Sequence, residues 1–197
     1  MGTETGRPFH HGNLRAVLLD HAHEAIRSGG VEALSLRELA RDAGVSHGAP
    51  RRHFRDRQAL VNALAERGFD LLTARLDAAA GAHPDHRERF RALAEVFVDF
   101  AATDPALLDL MFTKTVDPPP SLTEAVHRFH EVSRRVVLDG HEAGIRPLAD
   151  PERTQMLLVA TLQGIATLVG TGRISSETAA ALIDDTTTLF VGPHDDR

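Results

Sequence analysis

Four arginines and two histidines crowd into residues 46–57: His47, Arg51, Arg52, His53, Arg55 and Arg57, opposed by Asp56 alone. Cations at this density do one kind of chemistry well, which is to neutralise and hydrogen-bond the oxygens of a polyanion. The rest of the chain has the opposite balance. Residues 1–57 carry a formal charge of +2, residues 58–197 carry −8, and the whole carries −6. An acidic chain with one short basic segment points to a local polyanion contact. A single surface arginine is more often just a solvated charge, so the reading rests on the clustering. Lys114 is the one lysine among 22 basic residues, a bias of composition with no mechanism attached.

Other chemistries find less support. The chain has no cysteine, which excludes disulfides, thiolate metal sites and cysteine nucleophiles. All nine aromatics are Phe, so there is no tyrosine chemistry and no Trp/Tyr platform for single-stranded nucleic acid. His83 with His86, and His127 with His130, have spacings that place two imidazoles together, yet zinc needs further ligands and none are evident nearby. No metal and no cofactor is therefore expected. No Gly-x-Ser-x-Gly elbow or phosphate loop is present, and no carboxylate–histidine pair stands out as catalytic. At 42% hydrophobic and 25% charged residues the chain has the composition of an ordinary folded protein. Met1–Pro8 is polar with no apolar core of an export signal, and the most apolar run, Met156–Val169, is shorter than the roughly 20 residues a bilayer needs. A cytoplasmic protein without a membrane partner is expected.

The elements that must position the basic segment are helices. Apolar residues recur at 3-4 spacing along the chain and no strand alternation stands out, so the sequence predicts an all-α fold of nine helices. Leu14, Val17, Leu18, Ala22, Ala25 and Ile26 define the first, which Gly29-Gly30 ends. Ser35-Leu36-Arg37-Glu38 is a capping box opening the second, whose apolar face is Leu36, Leu39, Ala40 and Ala43. Gly44 stands where a left-handed C-terminal residue belongs, and Val45-Ser46 leads into a third short helix ending near Phe54. Two short helices joined through Ala43-Gly44-Val45-Ser46 make a helix-turn-helix pattern. An ordinary pair of helices turning at a glycine would look the same, and the arginines favour the first reading. The division falls at residues 1–57, the candidate DNA-binding part, and 58–197, a larger helical part.

In the larger part Asp56 caps a long helix to about Ala80, with Leu60, Leu64, Leu71, Leu72 and Leu76 inward. Gly68 in its middle costs about 1 kcal/mol relative to Ala, which implies close packing there. Further helices start around Phe90, at Asp104-Pro105, at a second capping box Ser121–Glu124, at Asp150-Pro151 and at Ser175-Ser176. The Met156–Val169 helix is apolar nearly all round, and one core hides only one stripe of such a helix. That predicts a homodimer built on the last two helices, through Ala160, Gly164, Leu182, Ile183 and Phe190; the alternative is a helix wholly internal to a monomer. Phe97, Phe100, Met111, Phe112, Phe129, Met156 and Gln163 are the candidate lining of an apolar effector cavity, or simply core.

Residues 10–72 include His10-His11-Gly12-Asn13-Leu14-Arg15, Ser35-Leu36-Arg37-Glu38-Leu39-Ala40, Gly44-Val45-Ser46-His47-Gly48-Ala49-Pro50 and Arg52-His53-Phe54-Arg55-Asp56-Arg57-Gln58-Ala59-Leu60. This set closely resembles the N-terminal DNA-binding domain of TetR/AcrR-type transcriptional regulators. The resemblance implies that Ser46 to His53 is the segment entering the major groove, with His47, Gly48 and Ala49 in a first turn where backbone approaches DNA closely and small residues avoid collisions. It implies Arg51 and Arg52 at base edges or nearby phosphates, and Ser35, Arg37, His53 and Arg57 on phosphate. His10 and His11 could belong to a minor-groove arm. Arg51 stands where members commonly carry Tyr, and Arg57 where they commonly carry Lys. Ala65–Phe69 and Gln163–Leu168 resemble a subgroup more weakly, with Gln163 in place of that subgroup's His and no Trp in the chain. The partners implied are a palindromic double-stranded DNA operator, a second copy of the chain, and a small, largely apolar effector that releases a repressor. A helical interaction module, or an enzyme that has lost DNA binding, is the alternative.

Overall fold

A computed structural model describes residues 14–145 and 147–192. Its α-helices are α1 (Leu14–Gly29), α2 (Leu36–Asp42), α3 (Arg57–Ala82), α4 (His86–Thr103), α5 (Pro105–Phe112), α6 (Pro120–Glu142), α7 (Pro151–Gly170) and α8 (Ser176–Val191). Single 3-10 turns occur at Val31–Ala33 and Pro50–Arg52, and no strand is present among the described residues. His10 and His11 lie outside the described residues. Among the described residues the fold is all-α, as the periodicity predicts, with eight α-helices in place of nine. The missing one is the third. Pro50 has no amide hydrogen to give the Ser46 carbonyl and Gly48 is a poor helix former, so residues 46–53 close tighter i to i+3 bonds, with a single i to i+4 bond from the Phe54 amide to Pro50.

The chain forms two compact units dividing after Leu64, seven residues beyond the boundary at 57 drawn from the sequence. Leu60 and Leu64, in the first turns of α3, are fully buried, which keeps those turns with the N-terminal unit. In the C-terminal unit α4 is the central helix, packed on α7 and α8, while α6 packs on α7.

Capping residues fix where most helices start. Ser35 accepts from the Glu38 amide, Asp56 from the Ala59 amide at 2.7 Å, Asp150 from the Glu152 amide at 2.9 Å and Ser175 from the Thr178 amide at 3.1 Å. The second capping box does not form. The run of prolines starts α6 earlier, with Pro119 as the cap, and Ser121 inside the first turn donates to the Glu66 carboxylate at 2.8 Å. Leu71, read as inward, is 43% exposed, and Leu189 on α8 is 75% exposed. The buried stripe of α8 runs Ala179, Ile183, Thr186, Thr187 and Phe190, which puts Leu189 on the opposite side.

Gly68 does permit close packing. A Cβ there would lie 2.6 Å from Met111 Sδ and 3.2 Å from a Leu107 methyl, both on buried side chains of α5. Gly68→Ala gains about 1 kcal/mol of helix propensity but overpacks this contact at a cost of roughly 1–3 kcal/mol. Urea unfolding is expected to show a net loss of about 1 kcal/mol in the parent, and a gain when Met111 is already Ala.

Half-buried His86 and His130 are both held below the ordinary imidazole value. For His86 the causes are loss of water and then the Arg89 charge, against Asp139 and Asp85; for His130 they are loss of water and then His127. The folded chain thus favours neutral imidazoles, and the unfolded chain takes up protons first. Their contribution to stability is complete above about pH 6.5 and is lost as pH falls through the lowered values. The thermal midpoint is expected to drop between neutral pH and mild acid, and replacing both histidines by Gln should flatten that dependence.

Candidate nucleic-acid interface and effector cavity

In the N-terminal unit, α2 ends on a glycine corner. Gly44 has φ 65°, its amide donates to the Arg41 carbonyl at 3.0 Å, and the Val45 amide reaches back to Ala40 at 2.9 Å. The chain then turns into residues 46–54. The Ala49 amide donates to Ser46 at 2.9 Å, and both the His53 and Phe54 amides donate to Pro50 at 2.9 Å. Pro50 and Phe54 are fully buried. Between them Arg51, Arg52 and His53 are exposed, as are Ser46, His47, Gly48 and Arg37, while Ser35 and Ala49 are half-buried. Arg37, Arg51 and Arg52 have no ion-pair partner among the described residues. The four to six cationic donors of the segment are therefore not all equivalent, because two of them are occupied. Arg55 pairs with Asp56 at 3.1 Å. Arg57, expected on phosphate, is exposed and also bonded to backbone: its Nε donates to the Leu34 carbonyl at 3.2 Å and its Nη2 to Val31 at 2.6 Å, with Glu32 at 3.7 Å. It ties the start of α3 to the 3-10 turn before α2. Its charge, always present, suits it to bind the Leu34 carbonyl and to add a second donor to the Val31 carbonyl, which already accepts from the Leu34 amide at 3.2 Å.

A residue that the sequence reading missed is Arg15. Its guanidinium lies 5.6 Å from the centroid of the Phe54 ring, a cation–π contact between α1 and the end of the basic segment. The spacing of α1 gives no sign of it, because the contact crosses 39 positions of chain.

In the C-terminal unit a cavity of about 50 Å³ lies among α3, α4, α6 and α7. Leu76, Phe97, Phe129, Val136, Leu158 and Leu162 are among its lining residues, and none of the side chains lining it is charged. Ser133 is the one polar side chain there. Its hydroxyl donates to the His130 carbonyl at 2.9 Å and accepts from Gln155 Nε2 at 2.9 Å, so it is already satisfied. Of the seven candidate lining residues, Phe97 and Phe129 face this cavity. Phe112 and Gln163 line a separate, open groove of about 310 Å³ between α4, α5 and α7. Phe100 and Met111 are buried but line neither space. Met156 is 73% exposed, on the outer side of α7.

The dimer candidates also separate. Ala160 and Gly164 are exposed on α7, beside the exposed Met156 and Leu157, and Leu182 is half-buried. Ile183 and Phe190 are 4% and 9% exposed and belong to the chain's own core, Ile183 with Ala94, Val98 and Ile165, Phe190 stacked on Phe90 at 5.9 Å. They have little surface left to offer a second copy. Among the described residues no three metal-ligating side chains come together, and no helix is long and apolar enough to cross a membrane.

Comparison with known proteins follows the same two parts. Residues 18–64 match the family model for bacterial regulatory proteins of the tetR family, and residues 90–190 match the tetracyclin repressor-like C-terminal domain. The HTH-type transcriptional activator FasR of Mycolicibacterium smegmatis is 29% identical over 138 residues, which is 70% of this chain and 63% of FasR. The chain thus spans less than two thirds of that relative. A solved protein of unknown function from Rhodococcus sp. RHA1 is 40% identical with a TM-score of 0.85, over 94% of this chain and 97% of its own. The FadR regulator of Bacillus subtilis, solved in complex with stearoyl-CoA, shares the fold at a TM-score of 0.75 and 16% identity, over 91% of this chain and 100% of its own. A glycine-cornered basic turn at one end and a helical unit matching the repressor-like model over half the chain lead to one assignment: this protein belongs to the TetR family of bacterial transcriptional regulators.

Proposed function

We propose that the protein is a repressor that binds a palindromic operator as a homodimer and leaves it when a small, largely apolar effector occupies the C-terminal unit. The observation that carries the DNA-binding part is the exposure of Arg51 and Arg52, without carboxylate partners among the described residues, between two buried anchors. Arg51 and Arg52 read base edges or grip adjacent phosphates, and Ser35, Arg37, Ser46, His47 and His53 contact the backbone around them, with Gly48 and Ala49 leaving room. Arg57 supports this surface from behind.

The exposed apolar side chains Met156, Leu157 and Leu189, next to Ala160 and Gly164, support a dimer face on α7 and α8. Two reading segments would then lie about 34–36 Å apart, one turn of DNA. The uncharged cavity supports an apolar effector, and that a protein of this fold is known with stearoyl-CoA fits such a ligand. Because α3 is one continuous helix from Arg57 to Ala82 and carries Leu76 of the cavity, it is the covalent route by which occupancy could reach the basic segment. Moving a dimer from mostly competent to mostly incompetent takes about 5.5 kcal/mol of differential affinity.

Footprinting on sequences selected from random duplex DNA tests this reading. A discrete inverted repeat should be protected, with affinity falling steeply as salt rises. Arg51→Ala and Arg52→Ala should each cost about 1–3 kcal/mol of binding while leaving the melting curve unchanged. Arg57→Ala should do the reverse in the first instance, lowering stability of the N-terminal unit by about 1–2 kcal/mol, since its half-exposed hydrogen bonds are partly screened by water. Absence of any protected repeat would overturn the proposal.

A further inference from the structure

The apolar cavity and the open groove are neighbours along the same pair of helices. On α4 the cavity ends at Phe97 and the groove begins at Ala101; on α7 the cavity ends at Leu162 and the groove begins at Gln163 and Ala166. On α4 the two linings are four residues, about 6 Å, apart, and on α7 they are consecutive. What stands between them is aromatic. The Phe112 ring, which lines the groove, makes edge contacts with Phe97 at 6.3 Å and Phe129 at 5.9 Å, and both of those rings line the cavity. Phe112 sits at the C-terminal end of α5 and is only half-buried, followed by the irregular residues 113–119. Its ring also meets Phe69 edge-on at 5.7 Å, so it moves only if a ligand takes the place of these aromatic contacts.

The two linings differ in chemistry. The cavity has no charged side chain and one satisfied hydroxyl. The groove adds Gln163, Thr167, Thr171 and Asp109 to an apolar floor of Leu108 and Phe112. The Thr167 hydroxyl donates to the Gln163 carbonyl at 2.8 Å, which leaves its oxygen free to accept, and the Gln163 amide can both donate and accept. Asp109 is the sole charged side chain in the groove, so an anionic group placed there meets like charge.

We propose that groove and cavity are the two ends of one channel for a linear amphiphile, parted by the Phe112 ring. An uncharged hydrogen-bonding group, such as an alcohol, ester or amide, rests in the groove against Gln163 and Thr167. The attached alkyl chain displaces Phe112 and fills the cavity. Any charge on the molecule lies beyond the groove in water. This rests on the reading of the cavity as the effector site and names the ligand class that site takes.

Calorimetric titration of the full chain with octanol, decanol, dodecanol and decanoate tests the channel. One site per chain is expected, with affinity rising about fourfold per added methylene until the cavity is full, and with decanoate severalfold weaker than decanol. Val159→Phe, at the cavity end, should abolish the length dependence while octanol still binds; Leu162→Phe serves the same purpose if the first variant fails to fold. Gln163→Leu should weaken every alcohol alike and keep the slope. Phe112→Ala should speed association in stopped flow with the slope intact. A length dependence that survives cavity filling, decanoate binding as tightly as decanol, or no alcohol binding at all would overturn the channel. Release of duplex DNA is scored separately. Alcohols that bind with this pattern but leave DNA bound would overturn the effector reading and keep the channel, whereas a lost channel leaves the footprint untouched.

Discussion

Pro50 and Phe54 stand one helical turn apart with both side chains buried, and that spacing decides the fate of everything between them. With the ends of the turn fixed inward, Arg51, Arg52 and His53 have only solvent to face. Proline contributes a second constraint. It fixes its own φ and cannot donate, so the turn closes through 3-10 bonds and stays short. The guanidinium of Arg15 over the Phe54 ring and the two carbonyl bonds of Arg57 hold the same corner from α1 and α3. A basic surface presented by so few residues depends on these anchors, because a seven-residue α2 and a single 3-10 turn have almost no stability of their own.

How the chain uses arginine separates the two units. In the C-terminal unit most long-range arginines are tied to carboxylates: Arg75 to Asp99, Arg89 to Asp139, Arg91 to Asp184, Arg128 to Asp70 and Arg135 to Asp77, at 2.6–3.0 Å. These pairs are largely exposed and each contributes little to stability. Their consequence is electrostatic, since a paired arginine offers no free charge to a polyanion. Arg37, Arg51 and Arg52 are the contrast. The acidic balance of residues 58–197 and the basic balance of 1–57 are thus also a division of labour between charge used internally and charge held outward.

Much of this was legible in the sequence where a single local interaction determines the structure. Ser35, Asp150 and Ser175 cap helices because a side-chain oxygen two or three residues before a free amide has few other options, and Gly44 turns the corner because positive φ suits glycine. Gly68 announced a close contact, though not its partner Met111. The failures have a common cause, which is competition between a local signal and a distant group. Ser121 had the pattern of a cap but lies inside a helix that proline starts earlier, and its hydroxyl found Glu66. Nothing in the sequence signals that Arg57 also bonds the carbonyls of Val31 and Leu34, 26 and 23 positions away. Ile183 and Phe190 share the apolar character of Met156 and Leu189, and only packing against α4 tells which pair is core. The same ambiguity scattered the candidate cavity residues over a cavity, a groove, a core and a surface.

The most direct test of the anchor is fluorescence anisotropy of a labelled DNA duplex at low ionic strength, comparing Phe54→Leu with Phe54→Ala. Both variants keep Arg15, Arg51, Arg52 and the net charge. If burial at position 54 is what presents the arginines, the Leu variant should bind near the parent affinity and the Ala variant should lose binding and its salt dependence together. An Ala variant that bound the duplex as tightly as the parent, with the same response to salt, would contradict the account.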